Sequence, residues 1–143
     1  MGGTPLEKGE AIIVLGEWPF YANIPVKDLQ EARRFYENTL GATLVREEED
    51  YLQYQTGDSL FGLYPNQDAA GSALHTLGSF MVEDVEATVT ELRSRGIDFE
   101  EYDMPGLKTE NGIAQIGPEK VAFFKDPDGN ILSVVEVEEN VML

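Results

Sequence analysis

The chain has 143 residues, 42% of them hydrophobic, which suffices for one compact domain with its own core or for two half-size modules packed together. It has no cysteine, which excludes disulfides, thiolate metal sites and thiol nucleophiles, and no apolar run long enough to cross a bilayer. With 27 acidic against 10 basic residues the formal charge is −17, which repels phosphate backbones and anionic membrane surfaces, so neither nucleic acid nor membrane is an expected partner.

The acidic residues fall in separated clusters, among them Glu47 to Asp50 and Glu136 to Glu139. That is the pattern of a solvated or salt-adapted surface more than of a site attracting a cationic ligand. The opening Met1-Gly2-Gly3-Thr4-Pro5 lacks the basic start and apolar core of a secretory signal, so a cytoplasmic location is expected.

Residues 1–18 form an N-terminal extension in which Ala11 to Leu15, a short apolar run before Gly16, is expected to be an extra strand or an arm laid on a neighbouring subunit. Phe20 to Val26 reads as the first core strand. Asp28, three residues ahead of Glu31, is a helix N-cap, and Leu29, Ala32, Phe35, Tyr36 and Leu40 follow at helical spacing until Gly41, which suits the C-terminal cap. Three strands come next, Ala42 to Arg46, Tyr51 to Gln55 and Ser59 to Tyr64, and then a linker at residues 65–73.

The second half repeats the first. Val26-Lys27-Asp28-Leu29 returns as Val82-Glu83-Asp84-Val85, preceded by a strand and followed by a helix with Val85, Val89 and Leu92 on one face and Gly96 at its end. Strands are expected through Asp98 to Tyr102, Ile113 to Phe124 and Ile131 to Val137. Met104 to Gly112 between them is either a long loop over a site or a plain hairpin connection. In the closing segment, two apolar runs flank Asp126-Pro127-Asp128-Gly129, a sequence suited to a type I turn, so Phe123 to Glu136 is a β-hairpin. The organisation is therefore one domain over residues 19–139, made of modules 19–66 and 74–139.

Phe35-Tyr36, Leu40-Gly41, the Val-x-Asp repeat and the Asp126 to Glu136 hairpin stand in the order and spacing of the vicinal oxygen chelate superfamily. That group includes glyoxalase I, extradiol dioxygenases and the bleomycin-resistance proteins, and residues 20–138 resemble it. The resemblance implies an α+β fold: two βαβββ modules whose eight strands make a cup-shaped mixed sheet, with helices on the convex side. In metal-dependent members the cup holds a divalent ion through His, Glu or Gln side chains. The positions matching those ligands here are Tyr21, Gly62, Leu77 and Ser133, none a usual ligand, so neither a metal nor another cofactor is expected. His75, the single histidine, is expected in the linker or on the rim, and Glu136 points away from the face of Ser133.

Strand alternation adds Asn23, Leu60, Tyr64, Ser79, Met81, Ile131 and Val135 to the cup face. Ala22, Ile24, Phe61, Leu63, Phe80, Val82, Leu132 and Val134 are left to pack under the helices. The candidate ligand-binding set is Tyr21, Asn23, Gly62, Tyr64, Leu77, Ser79, Met81 and Ser133, a mixture suited to a small, mostly apolar molecule. No nucleophile with an adjacent base is visible, so no catalytic residue is assigned.

The leading reading is a metal-free binding protein of the sequestering, bleomycin-resistance type. It would take a small organic molecule, cationic or aromatic, and a homodimer is expected to complete the cup. The alternatives are a superfamily enzyme (a metal-dependent lyase, isomerase or dioxygenase, or a cofactor-free catalyst using Tyr21, Tyr64 or His75) and an assembly domain with a collapsed cup.

Overall fold

The computed structural model describes residues 12–137. Its elements run β1 (Ala22–Val26), α1 (Leu29–Arg33) continued by a π-helical segment (Arg34–Thr39), β2 (Thr43–Glu48), β3 (Tyr51–Thr56) and β4 (Ser59–Pro65). Then come β5 (Thr76–Val82), α2 (Val85–Ser94), β6 (Asp103–Met104), β7 (Leu107–Glu110), β8 (Ile113–Ile116), β9 (Glu119–Lys125) and β10 (Ile131–Glu136). No helix among the described residues is long and apolar enough to cross a membrane.

Both helices start as their sequences dictate. Asp28 accepts from the Glu31 N–H and Asp84 from the Ala87 N–H, each at 3.0 Å, satisfying amides that a helix leaves unpaired. After Arg33 the first helix widens, so that the Leu40 N–H reaches Phe35 O five residues back, before Gly41 leaves the helix at φ +79°. Glu136, at the far end of β10, accepts from the Val85 N–H at 3.0 Å and so serves as a second cap for α2 on the helix side of the sheet.

The strands form two sheets rather than one. The first has the order β1-β4-β3-β2 and the second β5-β10-β9-β8-β7-β6, with the edge pairs β1/β4 and β5/β10 parallel and the rest antiparallel. The strand expected at Asp98 to Tyr102 is reduced to one bridge, Phe99 to Phe124. Residues 104–112 are not a long covering loop: β6, β7 and β8 are successive hairpin strands, with Gly106 and Gly112 supplying positive φ at the turns. The second sheet thereby gains strands beyond the four of a βαβββ module. In the N-terminal extension, Leu15–Glu17 makes a single 3₁₀ turn and Ile12 to Val14 join no strand, while residues 1–11 lie outside the described residues.

One apolar cluster runs under both modules. Ile24, Val26, Leu52, Tyr54 and Leu63 of the first sheet meet Ala122, Phe124, Leu132 and Val134 of the second across Ala32, Tyr36, Val85, Val89 and Leu92 of the helices. The modules are further locked by the β9–β10 turn. The Gly129 N–H returns to Asp126 O at 3.0 Å, as in a type I turn. The buried Asp126 carboxylate accepts from the Asp128 and Asn130 N–H groups, from Asn130 Nδ2 and, at 2.7 Å, from the Tyr36 hydroxyl in the other module. Asn130 Nδ2 also donates to Pro25 O at 2.7 Å, and the Lys27 N–H donates to Asp128 Oδ2 at 2.8 Å.

Burial, then the Asp126 charge, pushes the Tyr36 phenol well above the ordinary tyrosine value; burial and the hydrogen bond to Glu37 do the same to Tyr54. Both groups have folded values above their unfolded ones, so the stability they contribute is complete below about pH 10 and is lost as pH rises further. In an absorbance titration of the chain's six tyrosines, Tyr36 and Tyr54 are expected to ionise only together with alkaline unfolding. Stepwise ionisation of all six with the fold intact would contradict this network.

Candidate functional site

On the face of the first sheet opposite its helix, Asn23 of β1 stands beside Gly62 of β4 in the strand register, with Gln53 of β3 on Gly62's other side. Two residues before Gln53, and therefore on the same face, Tyr51 donates its hydroxyl to Asn23 Oδ1 at 3.2 Å. A Cβ at position 62 would overlap the Tyr51 hydroxyl and lie 2.6 Å from Asn23 Oδ1, so glycine is what lets the phenol lie across the strand. Tyr21, Asn23, Arg46, Tyr51 and Tyr64 together line a wide, open cleft of about 550 Å³.

The Arg46 guanidinium sits 5.3 Å from the centroid of the Tyr51 ring, a cation–π arrangement, and makes only an exposed 3.4 Å pair with Glu48. Burial and the neighbouring Tyr21 hydroxyl raise the Tyr51 phenol above its ordinary value, so it stays a hydrogen-bond donor at neutral pH. The cleft thus offers three phenols, an amide and a guanidinium, and among the described residues no carboxylate lines it. It is suited to an aromatic ring carrying acceptor oxygens, and its own charge does not select a cation.

The second-module candidates lie elsewhere. Ser79 and Ser133 pair across β5 and β10 with their hydroxyls 2.6 Å apart, Ser133 being only 1% exposed, while Met81 stands 61% exposed. Leu77 turns toward the core cluster, because an irregularity between Ile131 and Leu132 pairs them with Thr76 and Gly78 and leaves Leu77 as the extra residue. Leu77 and Ser79 line a different cavity, at the seam between the modules. The eight candidates are therefore divided: Tyr21, Asn23, Gly62 and Tyr64 gather around the cleft, Leu77 and Ser79 line the seam cavity, Ser133 is buried against Ser79, and Met81 is at the surface. His75 is exposed just before β5.

Arg46 and Tyr51 were not among the candidates from sequence. Alternation applied to β3 as well as to the four presumed ligand strands would have found Tyr51. Arg46 follows a register shift after Leu44, which spoils simple alternation there.

The residues present do not fit a divalent ion. Gly62 has no side chain and no room for one, Ser133 is committed to Ser79, Leu77 has no donor atom, and Glu136 caps α2 on the other face. Among the described residues no three His, Cys, Asp or Glu side chains converge on a point.

Solved structures with this fold are numerous. The chain matches a bleomycin-binding protein complexed with bleomycin at 21% identity and a TM-score of 0.64, over 83% of this chain and 98% of that one. It matches TnmS3, an antibiotic-binding protein from a Streptomyces species, at 22% identity and a TM-score of 0.61, over 85% and 96%. A glyoxalase family protein from Enterococcus faecalis matches at 25% identity and a TM-score of 0.60, over 82% and 94%. A comparison with curated protein sequences found no match. The family model for the glyoxalase/bleomycin resistance protein/dioxygenase superfamily matches residues 18–134, and with the sheet order and the repeated capped helices this places the chain in that superfamily.

Proposed function

We propose that the chain is a cytoplasmic binding protein that captures a small, ring-bearing organic molecule on the concave face of its first sheet, without a metal and without transforming it. The observation that carries this reading is the cleft of Tyr21, Asn23, Tyr51 and Tyr64 under the Arg46 guanidinium: three stacking surfaces and fixed hydrogen-bond donors, with no acid–base pair and no ligand set beside them. The fold's resemblance to a bleomycin-binding and an antibiotic-binding protein supports the ligand class. Because Arg46 is the charged side chain that lines the cleft among the described residues, we assign the net acidity to the solvated surface and the ligand's recognised part to an aromatic ring with acceptor groups.

The cleft is open on one side, and we assign its completion to a second copy of the chain. Ile12, Ile13, Leu15, Trp18 and Phe20, 66–92% exposed and leading directly to Tyr21, would supply an apolar surface for that contact. Equilibrium titration of the purified chain with bleomycin and with uncharged polycyclic aromatic antibiotics tests the reading, with Trp18 fluorescence as the reporter. Saturable binding is expected, weakened at least about tenfold by Tyr51→Ala, a loss of roughly 1.4 kcal/mol. Saturable binding indifferent to Tyr51→Ala would move the site elsewhere.

A further inference from the structure

The second cavity, at the seam between the modules, has a volume of about 160 Å³ and is partly enclosed. The sequence repeat places two corresponding pairs of residues on it, and the strand register a third. Ala22 and Gly78 lie on the edge strands β1 and β5, Ile24 and Phe80 follow two residues on, and Phe61 and Leu132 are the register partners of Ala22 and Gly78. The space exists because both repeats carry their smallest strand residue at the same point: a Cβ built on Gly78 would meet nothing nearer than Leu132 Cδ2, at 4.0 Å, and the backbone there is not in the glycine-favouring region. Among the described residues no charged side chain lines the cavity. Its polar lining residues are Thr56 and Ser59, where β3 turns into β4, Ser79 and Tyr36; the Thr56 and Ser59 hydroxyls pair with each other, the Ser79 hydroxyl with Ser133 and the Tyr36 hydroxyl with Asp126.

An apolar cavity of about 150 Å³ is large enough to admit a benzene-sized guest. We infer that the seam is a second binding site, distinct from the concave cleft, for one neutral apolar ring whose single hydrogen-bonding substituent lies at the Thr56–Ser59 turn. A ring held there contacts both modules at once, so its binding adds to the coupling that the Asp126 turn provides.

The test uses phenol as the probe and the full-length chain, followed by methyl resonances in two-dimensional NMR. Phenol is expected to shift the methyls of Ile24, Leu77 and Leu132 saturably. Gly78→Val and Ala22→Leu, which fill the space from opposite strands, are each expected to weaken binding at least tenfold, with thermal midpoints unchanged or raised; if one variant misfolds, the other decides. Tyr51→Ala, which alters the cleft, is expected to leave phenol affinity unchanged, so failure here is distinguishable from failure of the cleft reading. Absence of shifts at these methyls with millimolar phenol, an affinity indifferent to filling, or a loss with Tyr51→Ala would overturn the assignment.

Discussion

Asp126→Ala is expected to lower the stability of the chain by about 4 kcal/mol, the scale for leaving several buried donors without their charged acceptor at about 1–3 kcal/mol each. The carboxylate has four donors, two of them backbone N–H groups of its own turn, one the amide of Asn130 and one the Tyr36 hydroxyl from the other module. Alanine leaves that hydroxyl buried and without its acceptor, and it releases Asn130, whose amide also ties β10 to Pro25 O and whose side-chain oxygen accepts from the Gly71 N–H. Tyr36→Phe removes one donor and leaves the turn intact, so it is expected to cost only about 1–2 kcal/mol. Urea denaturation measures both. Equal small losses would mean that the turn is a local hairpin feature and that the modules are held by apolar contact alone.

Gly62→Val is expected to abolish the geometry of the cleft while leaving the fold in place. The new side chain must displace the Tyr51 phenol from Asn23, and filling the floor beneath it removes the ring's stacking surface. Ligand affinity is expected to fall at least about thirtyfold, about 2 kcal/mol, with a comparable cost in stability from overpacking. The two residues should couple: with Tyr51→Ala already present, Gly62→Val meets no phenol and its stability cost should largely vanish, leaving the strand preference of valine. Additive losses in the double variant would show that Gly62 and Tyr51 do not share the site.

Much of this architecture was legible because it is local. Asp28 and Asp84 cap helices by reaching three residues ahead, Val85, Val89 and Leu92 declare a buried stripe by their spacing, and the Asp126 to Gly129 turn is written in four consecutive residues. Alternation correctly sent Ile24, Leu63, Leu132 and Val134 to the core. What was not legible depends on residues far apart in the chain. Asp126 looked like a turn residue, yet its carboxylate also holds the Tyr36 hydroxyl, and the Asn130 side chain reaches Pro25 and Gly71, contacts that only the packing of distant segments brings near. Leu77 left the cup face because of one irregularity in the β5–β10 register, which no period-two count detects. Residues 104–112 left a covering loop and a hairpin connection equally open, because Pro105, Gly106 and Gly112 suit both.

The central claim, capture of a ring-bearing molecule without a metal, is tested most directly by calorimetric titration of the purified chain with bleomycin and the polycyclic panel. The titration is made after exhaustive chelation and again after loading with Mn, Ni, Fe or Zn, with elemental analysis of each sample. The account expects the same dissociation constant and stoichiometry with and without metal, and less than one ion retained per chain after dialysis. Binding that appears only with one tightly held ion per chain would contradict it.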